Sequence, residues 1–272
     1  MSYEQLTGAD YLATFAAENV RFISAAQASG FAAPVASCPG WNVGDLVFHV
    51  GKVQRWFHFM LSTNGADPKG SPRSAQPETD AAMVEWFREG AAVIENYLAG
   101  VSDTEPVWTF TGGDVGRWAK RRQAQEVLVH RFEAELAGGA VSAADATMCA
   151  DGVDELLTVY VPWLKEKAQL PGTVHFHCTD TDGEWMLTPQ VAGIEVTREH
   201  GKGDVALRAP ALMLLQVVWR RMSVDEAIAT GVQEVAVACP FCRIMIGDGM
   251  TARESDVEVL DVAQVLLRNI KS

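Results

Sequence analysis

Apolar residues recur every three to four positions through most of the first half of the chain, which is the periodicity of amphipathic helices. The pattern predicts four helices, over about residues 7–29, 42–60, 80–99 and 117–139. The second and third are separated by a long polar loop rich in Pro, Gly and Ser. Four helices with one long connection are typical of a helical bundle, in which metal sites are built from facing side chains.

The pattern changes at about residue 151. A short helix is predicted over residues 153–164, and apolar and polar residues then alternate as they do in strands. The predicted strands cover residues 173–178, 184–187, 194–198, 204–208 and 232–238, and the first two form a hairpin. A strongly apolar helix begins at Pro210 and runs through the segment PALMLLQVVWRRM. This second region is therefore predicted to be α+β.

We accordingly predict a two-domain α+β protein. A four-helix bundle takes residues 1–150 and a small α+β domain takes residues 151–272. The last part of the second domain, residues 222–272, is predicted to be a βα tail, and it contains the segment Cys239-Pro240-Phe241-Cys242. A chain of 272 residues is long enough for two hydrophobic cores.

Composition narrows the possible partners. The formal charge of −13 and the pI near 4.9 argue against nucleic acid, which requires clustered Lys and Arg. No apolar run approaches the length of about 18 residues needed to span a membrane, and no signal peptide is visible. The five cysteines are scattered and odd in number. We therefore expect a cytoplasmic protein with reduced thiols, either a monomer or a homodimer.

One predicted helix contains a pair of metal-ligating side chains. Glu126 and His130 stand four residues apart, so they project from the same face at adjacent turns. A carboxylate and an imidazole in this arrangement can provide two ligands to one divalent metal. His49, on the apolar stripe of the second helix, is the best candidate for a third. Taken alone, His49 is more readily interpreted as a core histidine bonded to a backbone carbonyl.

Three segments together resemble the mycothiol-dependent maleylpyruvate isomerase-like family, which belongs to the DinB-like helical metalloprotein superfamily. They are CPGWNVGDLVFHV, RRQAQEVLVHRFEAELAGG and DVALRAPALMLLQVVWRR. The resemblance covers about residues 5–221, and the first two motifs are specific as a pair. In the second motif, Glu133 stands where the family usually has Asp.

The resemblance implies that the N-terminal domain is a DinB-like bundle and that His49, Glu126 and His130 bind zinc or another divalent metal. Water or a thiolate would occupy the open fourth position. It also implies an enzyme that uses a small thiol such as mycothiol, either to isomerise a cis diacid or to attach the thiol to an electrophile. Arg221 matches an arginine implicated in the family's activity; it could otherwise be a surface residue at a helix end.

The tail offers a different chemistry. Residues 224–267 resemble the C-terminal end of cysteine-rich iron–sulfur subunits like those of heterodisulfide reductases. Only Cys239 and Cys242 match the cluster motif, and two thiolates cannot hold a cluster that needs about four. A redox role for this pair, and a non-enzymatic metal-stabilised binding or sensor protein, are the alternative functions.

Other polar residues lead to weaker expectations. His175 and His177 share one strand face and could pair as ligands, although a solvated strand face is the simpler interpretation. His200 lies in a polar turn and is expected to be exposed. Arg121 and Arg122 are expected to lie at the surface or in a cleft wall.

Overall fold

The computed structural model describes residues 2–112, 115–139, 141–164, 170–222, 235–237 and 259–261. The chain divides into two compact units: Leu6–Ala143, here called the helical unit, and Met1–Gln5 with Ala144–Ser272, here called the C-terminal unit. A helical first half and an α+β second half agree with the predicted fold class. None of the described helices combines the length and the hydropathy that crossing a bilayer requires.

The helical unit contains the four helices that the periodicity predicts. They are α1 (Gly8–Ser29), α2 (Val43–Ser62), α3 (Asp80–Ala99) and α4 (Gly116–Ala137). Local sequence fixes where they begin. Thr7 and Asn42 each form a capping box with the acidic residue three positions later, and Thr79 caps α3 with its side chain.

α4 is the central helix of this unit, since it is buried along nearly its whole length and packs closely against α1. Several of its buried residues are charged, and they are neutralised in place. Arg131 is fully buried, with Nε donating to Glu18 and Nη1 donating to Glu135 Oε2 at 2.7 Å. Paired charges of this kind can be buried without a large free-energy cost. A helix with polar residues on its buried faces can therefore lie at the centre of the bundle.

In the part of the C-terminal unit that the structure describes, six strands form one sheet in the order β3-β2-β1-β4-β5-β6. The strands are β1 (Val174–Cys178), β2 (Glu184–Gln190), β3 (Gly193–Thr197), β4 (Val205–Ala209), β5 (Val235–Val237) and β6 (Val259–Asp261). The first three form an antiparallel meander, and β4 lies parallel to β1. The predicted hairpin and the two strands that follow it are thus confirmed.

Helices accompany this sheet. They are α5 (Ala146–Glu155), a π-helical turn (Leu156–Tyr160), α6 (Val161–Leu164) and α7 (Ala211–Val218). The helix predicted over residues 153–164 thus begins earlier, at Ala146, where the Asp145 side chain caps it by accepting from the Met148 N–H at 2.8 Å.

α7 ends sooner than the apolar segment PALMLLQVVWRRM predicts. Arg220 has φ 60°, a left-handed backbone that closes the helix. The Arg220 N–H donates to Val217 O, and the Arg221 N–H donates to Gln216 O at 2.7 Å. This pair of bonds is a Schellman motif, and it ends α7 before the last residues of the segment.

The predicted tail is described only in part. Strand β5 lies within the strand predicted over residues 232–238, and β6 lies further along the predicted βα tail. Cys239 and Cys242 lie outside the described residues.

Candidate metal centre

The structure brings together the three side chains that the sequence indicates as metal ligands. α4 carries Glu126 and His130, and α2 carries His49. Glu126 Oε1 lies 3.3 Å from His130 Nε2 and 4.0 Å from His49 Nε2. One donor atom from each residue falls within 4.8 Å of the others. Two imidazoles and one carboxylate in such an arrangement can provide three ligands to a divalent ion and leave a position open.

His49 is not a core residue, although its position on the apolar stripe indicates that it points inward. The buried face of α2 is centred instead on Val43, Val47, Val50 and Phe57, and His49 lies at its margin. About a third of the His49 side chain, 34%, is exposed. The indole of Trp41 packs against the imidazole, with 5.1 Å between ring centroids. This neighbour limits the rotation of the imidazole and leaves Nε2 directed toward Glu126.

Glu126 is held so that one carboxylate oxygen faces the two histidines. Arg122, one turn earlier on α4, donates through Nη2 to Glu126 Oε2 at 2.7 Å, which leaves Oε1 toward the imidazoles. Burial alone would raise the pKa of Glu126. The hydrogen bond to His130 and the charges of His130, Arg122 and His49 outweigh that effect and hold its pKa below the usual range. Glu126 is therefore an ionised carboxylate that presents a single oxygen to the two histidines.

His130 is oriented by a second carboxylate. Its Nδ1 forms a short hydrogen bond with Glu133 Oε2, so Nε2 faces Glu126. Glu133 is fully buried, and its Oε1 accepts from the Ser37 hydroxyl at 2.6 Å. Metal-ligating histidines commonly donate their second ring N–H to a carboxylate in this way, which fixes the tautomer and strengthens the ligand. The arrangement around His130 fits a metal ligand for this reason.

The pKa values of the two histidines move in opposite directions. Burial and the neighbouring His130 lower the pKa of His49, which favours its neutral form. Burial would also lower the pKa of His130, but its hydrogen bonds with Glu126 and Glu133 raise it to about 9. Without a metal, the His130 imidazolium thus lies between two carboxylates. A cation at the centre would take the place of its proton.

Two residues of this centre were missed or misjudged from the sequence. Arg122 was expected at the surface or in a cleft wall, but it is buried and holds Glu126. In the sequence, Glu133 stands out only as a departure from a family motif, whereas in the structure it is hydrogen-bonded to His130. The spacing contained a usable signal in both cases. Arg122 lies four positions before Glu126, and Glu133 lies three after His130, so each pair shares a helix face.

Arg221 lies in the C-terminal unit, immediately after the Schellman motif that ends α7. Its side chain is half-buried, and Nη1 donates to the Trp219 carbonyl. The residue before it, Arg220, has the left-handed backbone, which few residues other than Gly adopt.

The fold and the centre define a class: a helical bundle whose facing helices present two histidines and one glutamate, joined to an α+β unit. Comparison with sequence families is specific. The N-terminal domain of mycothiol maleylpyruvate isomerase matches residues 12–135, and the C-terminal domain of the same family matches residues 147–238. The two matches together cover most of the chain, which therefore belongs to the mycothiol maleylpyruvate isomerase family and is an enzyme of the isomerase type.

Solved structures support the same fold. The chain is similar to a crystal structure of the mycothiol-dependent maleylpyruvate isomerase, with TM-score 0.54 and 12% sequence identity. It is also similar to a histidine-to-alanine variant of that isomerase, with TM-score 0.57 and 11% identity. Each comparison covers 87% of this chain and 95% of the other. A search of curated proteins finds no match. At these identities the structural likeness concerns the fold alone.

Proposed function

We propose that the protein is a zinc-dependent enzyme that uses a small thiol of the mycothiol type as its nucleophile. His49 Nε2, Glu126 Oε1 and His130 Nε2 would hold the metal. The observation that carries the proposal is that these three donor atoms converge. In addition, Arg122 orients Glu126 and Glu133 orients His130 as metal ligands would be oriented. The family to which the chain belongs supports a thiol cosubstrate.

Zinc held by these three residues would bind a thiol at its open position and favour the thiolate at neutral pH. The net charge of the surrounding residues decides whether an anion is favoured there. Glu126 and Glu133 are negative, and Arg122 compensates one of these charges. Two carboxylates and one guanidinium leave one net negative charge, so a dication gives a centre with one net positive charge. Such a centre favours an anionic partner such as a thiolate.

The centre is also open to a small molecule. The His49 side chain is about one-third exposed, and the Glu126 side chain is 16% exposed. His130 is more deeply buried and so serves as the fixed part of the centre. An activated thiolate could add to the conjugated double bond of a cis diacid, allow rotation about the former double bond, and leave. The same thiolate could instead remain attached to an electrophile, which is the S-transferase form of the proposal.

Arg221 is proposed to bind a carboxylate of the substrate. A guanidinium pairs with a carboxylate through two parallel hydrogen bonds, so it can orient a diacid as well as attract it. Replacement of Arg221 by Lys would keep the charge and lose this geometry. We expect the Arg221→Lys variant to raise KM for a diacid substrate while its zinc content stays unchanged.

The test of the proposed function is a paired measurement of zinc content and activity. His130→Ala should contain one zinc equivalent fewer than the wild type and should lose both isomerisation of maleylpyruvate and thiol transfer with mycothiol. His58→Ala removes a histidine of α2 that is not part of this centre, and it should change neither. A His130→Ala protein with undiminished zinc would refute the ligand assignment.

A second variant distinguishes the redox alternative. Cys239→Ser with Cys242→Ser removes the cysteine pair of the tail and leaves all three proposed ligands in place. Zinc-centred chemistry predicts that this double variant stays active. Loss of activity in the cysteine double variant, together with full activity in His130→Ala, would support the redox alternative.

A further inference from the structure

A second cluster of metal-ligating side chains lies in the C-terminal unit. It consists of His175 and His177 on β1, Glu184 on β2 and His200 in the connection between β3 and β4. Each residue offers one donor atom, and these atoms all lie within 4.8 Å of one another. Five of the six histidines of the chain belong either to this cluster or to the centre on α2 and α4. His58 is the only one outside both.

The fold brings the four residues together through strand geometry. His175 and His177 are two positions apart on one strand, so both point to the same face of the sheet. His177 lies directly opposite Glu184 in the antiparallel pairing of β1 with β2. Residues opposite one another in such a pairing have neighbouring side chains. Two imidazoles and one carboxylate thus share one small area of the sheet.

The fourth side chain arrives with the loop that connects β3 to β4. Gly203 allows this loop to lie close to the sheet, since a β-carbon there would come within 2.9 Å of the His175 backbone nitrogen. A β-carbon added at Gly201 would likewise meet the end of the Met186 side chain, at 2.8 Å. His200, just before these glycines, then reaches Glu184, with 2.8 Å between its Nδ1 and Glu184 Oε2.

Hydrogen bonds to the single carboxylate do not satisfy the whole cluster. Glu184 Oε1 lies 2.6 Å from His177 Nδ1, and Oε2 is used by His200. His175 Nε2 is 3.7 Å from Oε2, which is too far for a hydrogen bond. This nitrogen is buried and has no hydrogen-bond partner among the described residues. A buried polar atom in that state is costly, and a metal ion would satisfy it.

We infer that His175, His177, Glu184 and His200 form a second metal site, which binds a divalent transition-metal ion of the zinc type. Imidazole is a preferred ligand of zinc, nickel and copper, whereas magnesium and calcium require mainly oxygen ligands. In a tetrahedral zinc site, neighbouring donor atoms are about 3.4 Å apart, because each lies about 2.0–2.1 Å from the metal. From Glu184 Oε2, His200 Nδ1 lies at 2.8 Å and His175 Nε2 at 3.7 Å, so the two separations fall on either side of that value.

Four protein ligands would fill a tetrahedral zinc site, so the ion would act as a structural clamp. It would join β1, β2 and the β3–β4 connection at one point. The cluster also borders an open cavity of about 460 Å³ that is lined by His177, Glu184 and His200, together with Tyr3 and Arg198. The cavity gives the ion a path of entry, which a site closed on all sides would lack. The inference is independent of the proposed thiol chemistry.

The test counts zinc in the untagged full-length chain, because a polyhistidine tag would add ligands. Purified proteins are loaded with zinc, passed through gel filtration in metal-free buffer and analysed by mass spectrometry. The wild type should retain two equivalents. His130→Ala and His177→Ala should each retain one, and the double variant none. His58→Ala is the control, with two equivalents expected. This design separates the two sites, since each is emptied by its own substitution.

A second variant guards against misfolding. The His200 side chain is 79% exposed, so His200→Ala should fold normally even if His177→Ala does not. In the His130→Ala background, zinc should raise the melting temperature, and the added His200→Ala change should abolish that shift. The inference is overturned if zinc content and the thermal shift in the His130→Ala background are the same with and without His200→Ala. In that case the cluster is a hydrogen-bonded network only.

Discussion

Replacement of Glu133 by Gln tests whether the buried carboxylate behind His130 strengthens the metal centre. Gln has nearly the same shape as Glu, so the substitution removes a charge and leaves no cavity. The Gln amide oxygen can still accept from His130 Nδ1–H, and the Ser37 hydroxyl can turn to accept from the amide nitrogen. The hydrogen bonds therefore remain possible, and the perturbation is confined to their charge.

The expected magnitude follows from that difference. A hydrogen bond to a charged group contributes about 1.5–3 kcal/mol and one between neutral groups about 0.5–1.5 kcal/mol, so the variant should lose about 1–1.5 kcal/mol. At about 1.4 kcal/mol per tenfold change, zinc affinity for the site with a neutral His130 should fall by roughly 5- to 12-fold. This loss of zinc affinity lies near the lower end of the roughly 10- to 100-fold loss that follows when a residue hydrogen-bonded to a metal ligand is replaced. Glu133→Ala, which also leaves His130 unsupported, should lie near the upper end.

The assay is a competition titration with a chromophoric chelator, performed in the His177→Ala background so that only the centre on α2 and α4 is counted. Glu135→Gln is the matched control on the same helix, because Glu135 contacts Arg131 and Ser142 and belongs to neither metal-ligand cluster. It should change stability and leave zinc affinity unaltered. The titration is run above about pH 9, where the His130 proton no longer competes with zinc. Equal affinities of Glu133→Gln and the parent protein under these conditions would refute the assigned role of Glu133.

Two further predictions concern pH and stability. Because the pKa of metal-free His130 is about 9, zinc must displace a proton from this imidazole when it binds. The zinc affinity should therefore rise about tenfold per pH unit between about pH 6 and 8. Calorimetry that shows no proton release on zinc binding would contradict this prediction. Asp103 accepts hydrogen bonds from Lys120 Nζ and the Gly8 N–H, each at 2.8 Å. The Asp103→Asn substitution should therefore lower the free energy of unfolding by about 1 kcal/mol, a value reduced because Asp103 is partly exposed. The Lys120 hydrogen bond lowers the pKa of Asp103, so this stabilisation is present at neutral pH and lost as pH falls through the lowered pKa. Urea unfolding should show that the wild type and Asp103→Asn differ less in free energy of unfolding near pH 3 than at pH 7. The same difference at both pH values would contradict the prediction.

Local sequence rules predict most of the helices of the helical unit, but they predict few of the residues that surround its proposed metal ligands. The pairing of Glu126 with His130 follows from helix periodicity, and the position of Asn42 follows from capping chemistry. Arg122 was misjudged because an arginine is usually exposed, and the buried state of α4 depends on the helices around it. Whether Arg122 is buried depends on the helices packed against α4, so the sequence of α4 alone cannot predict it.

The sheet shows the same limit in another form. Alternation along β1 places His175 and His177 on one face, and this much is visible in the sequence. The addition of Glu184 depends on the register of β1 with β2, and the addition of His200 depends on the path of a loop. Register and loop path are set by tertiary packing. A solvated strand face was therefore the natural interpretation of the two histidines alone.

The division of the chain into units has a consequence for its synthesis. Tyr3 stacks near Trp185, with 5.7 Å between ring centroids, so the C-terminal unit uses residues from both sides of the helical unit. At about 5–20 residues per second, a ribosome adds Trp185 on the order of ten to forty seconds after Tyr3. Leu6–Ala143 is complete in the meantime and can fold first. Tyr3 must wait without its partner, so a nascent chain is open to proteases at this segment until the strands of the second unit emerge.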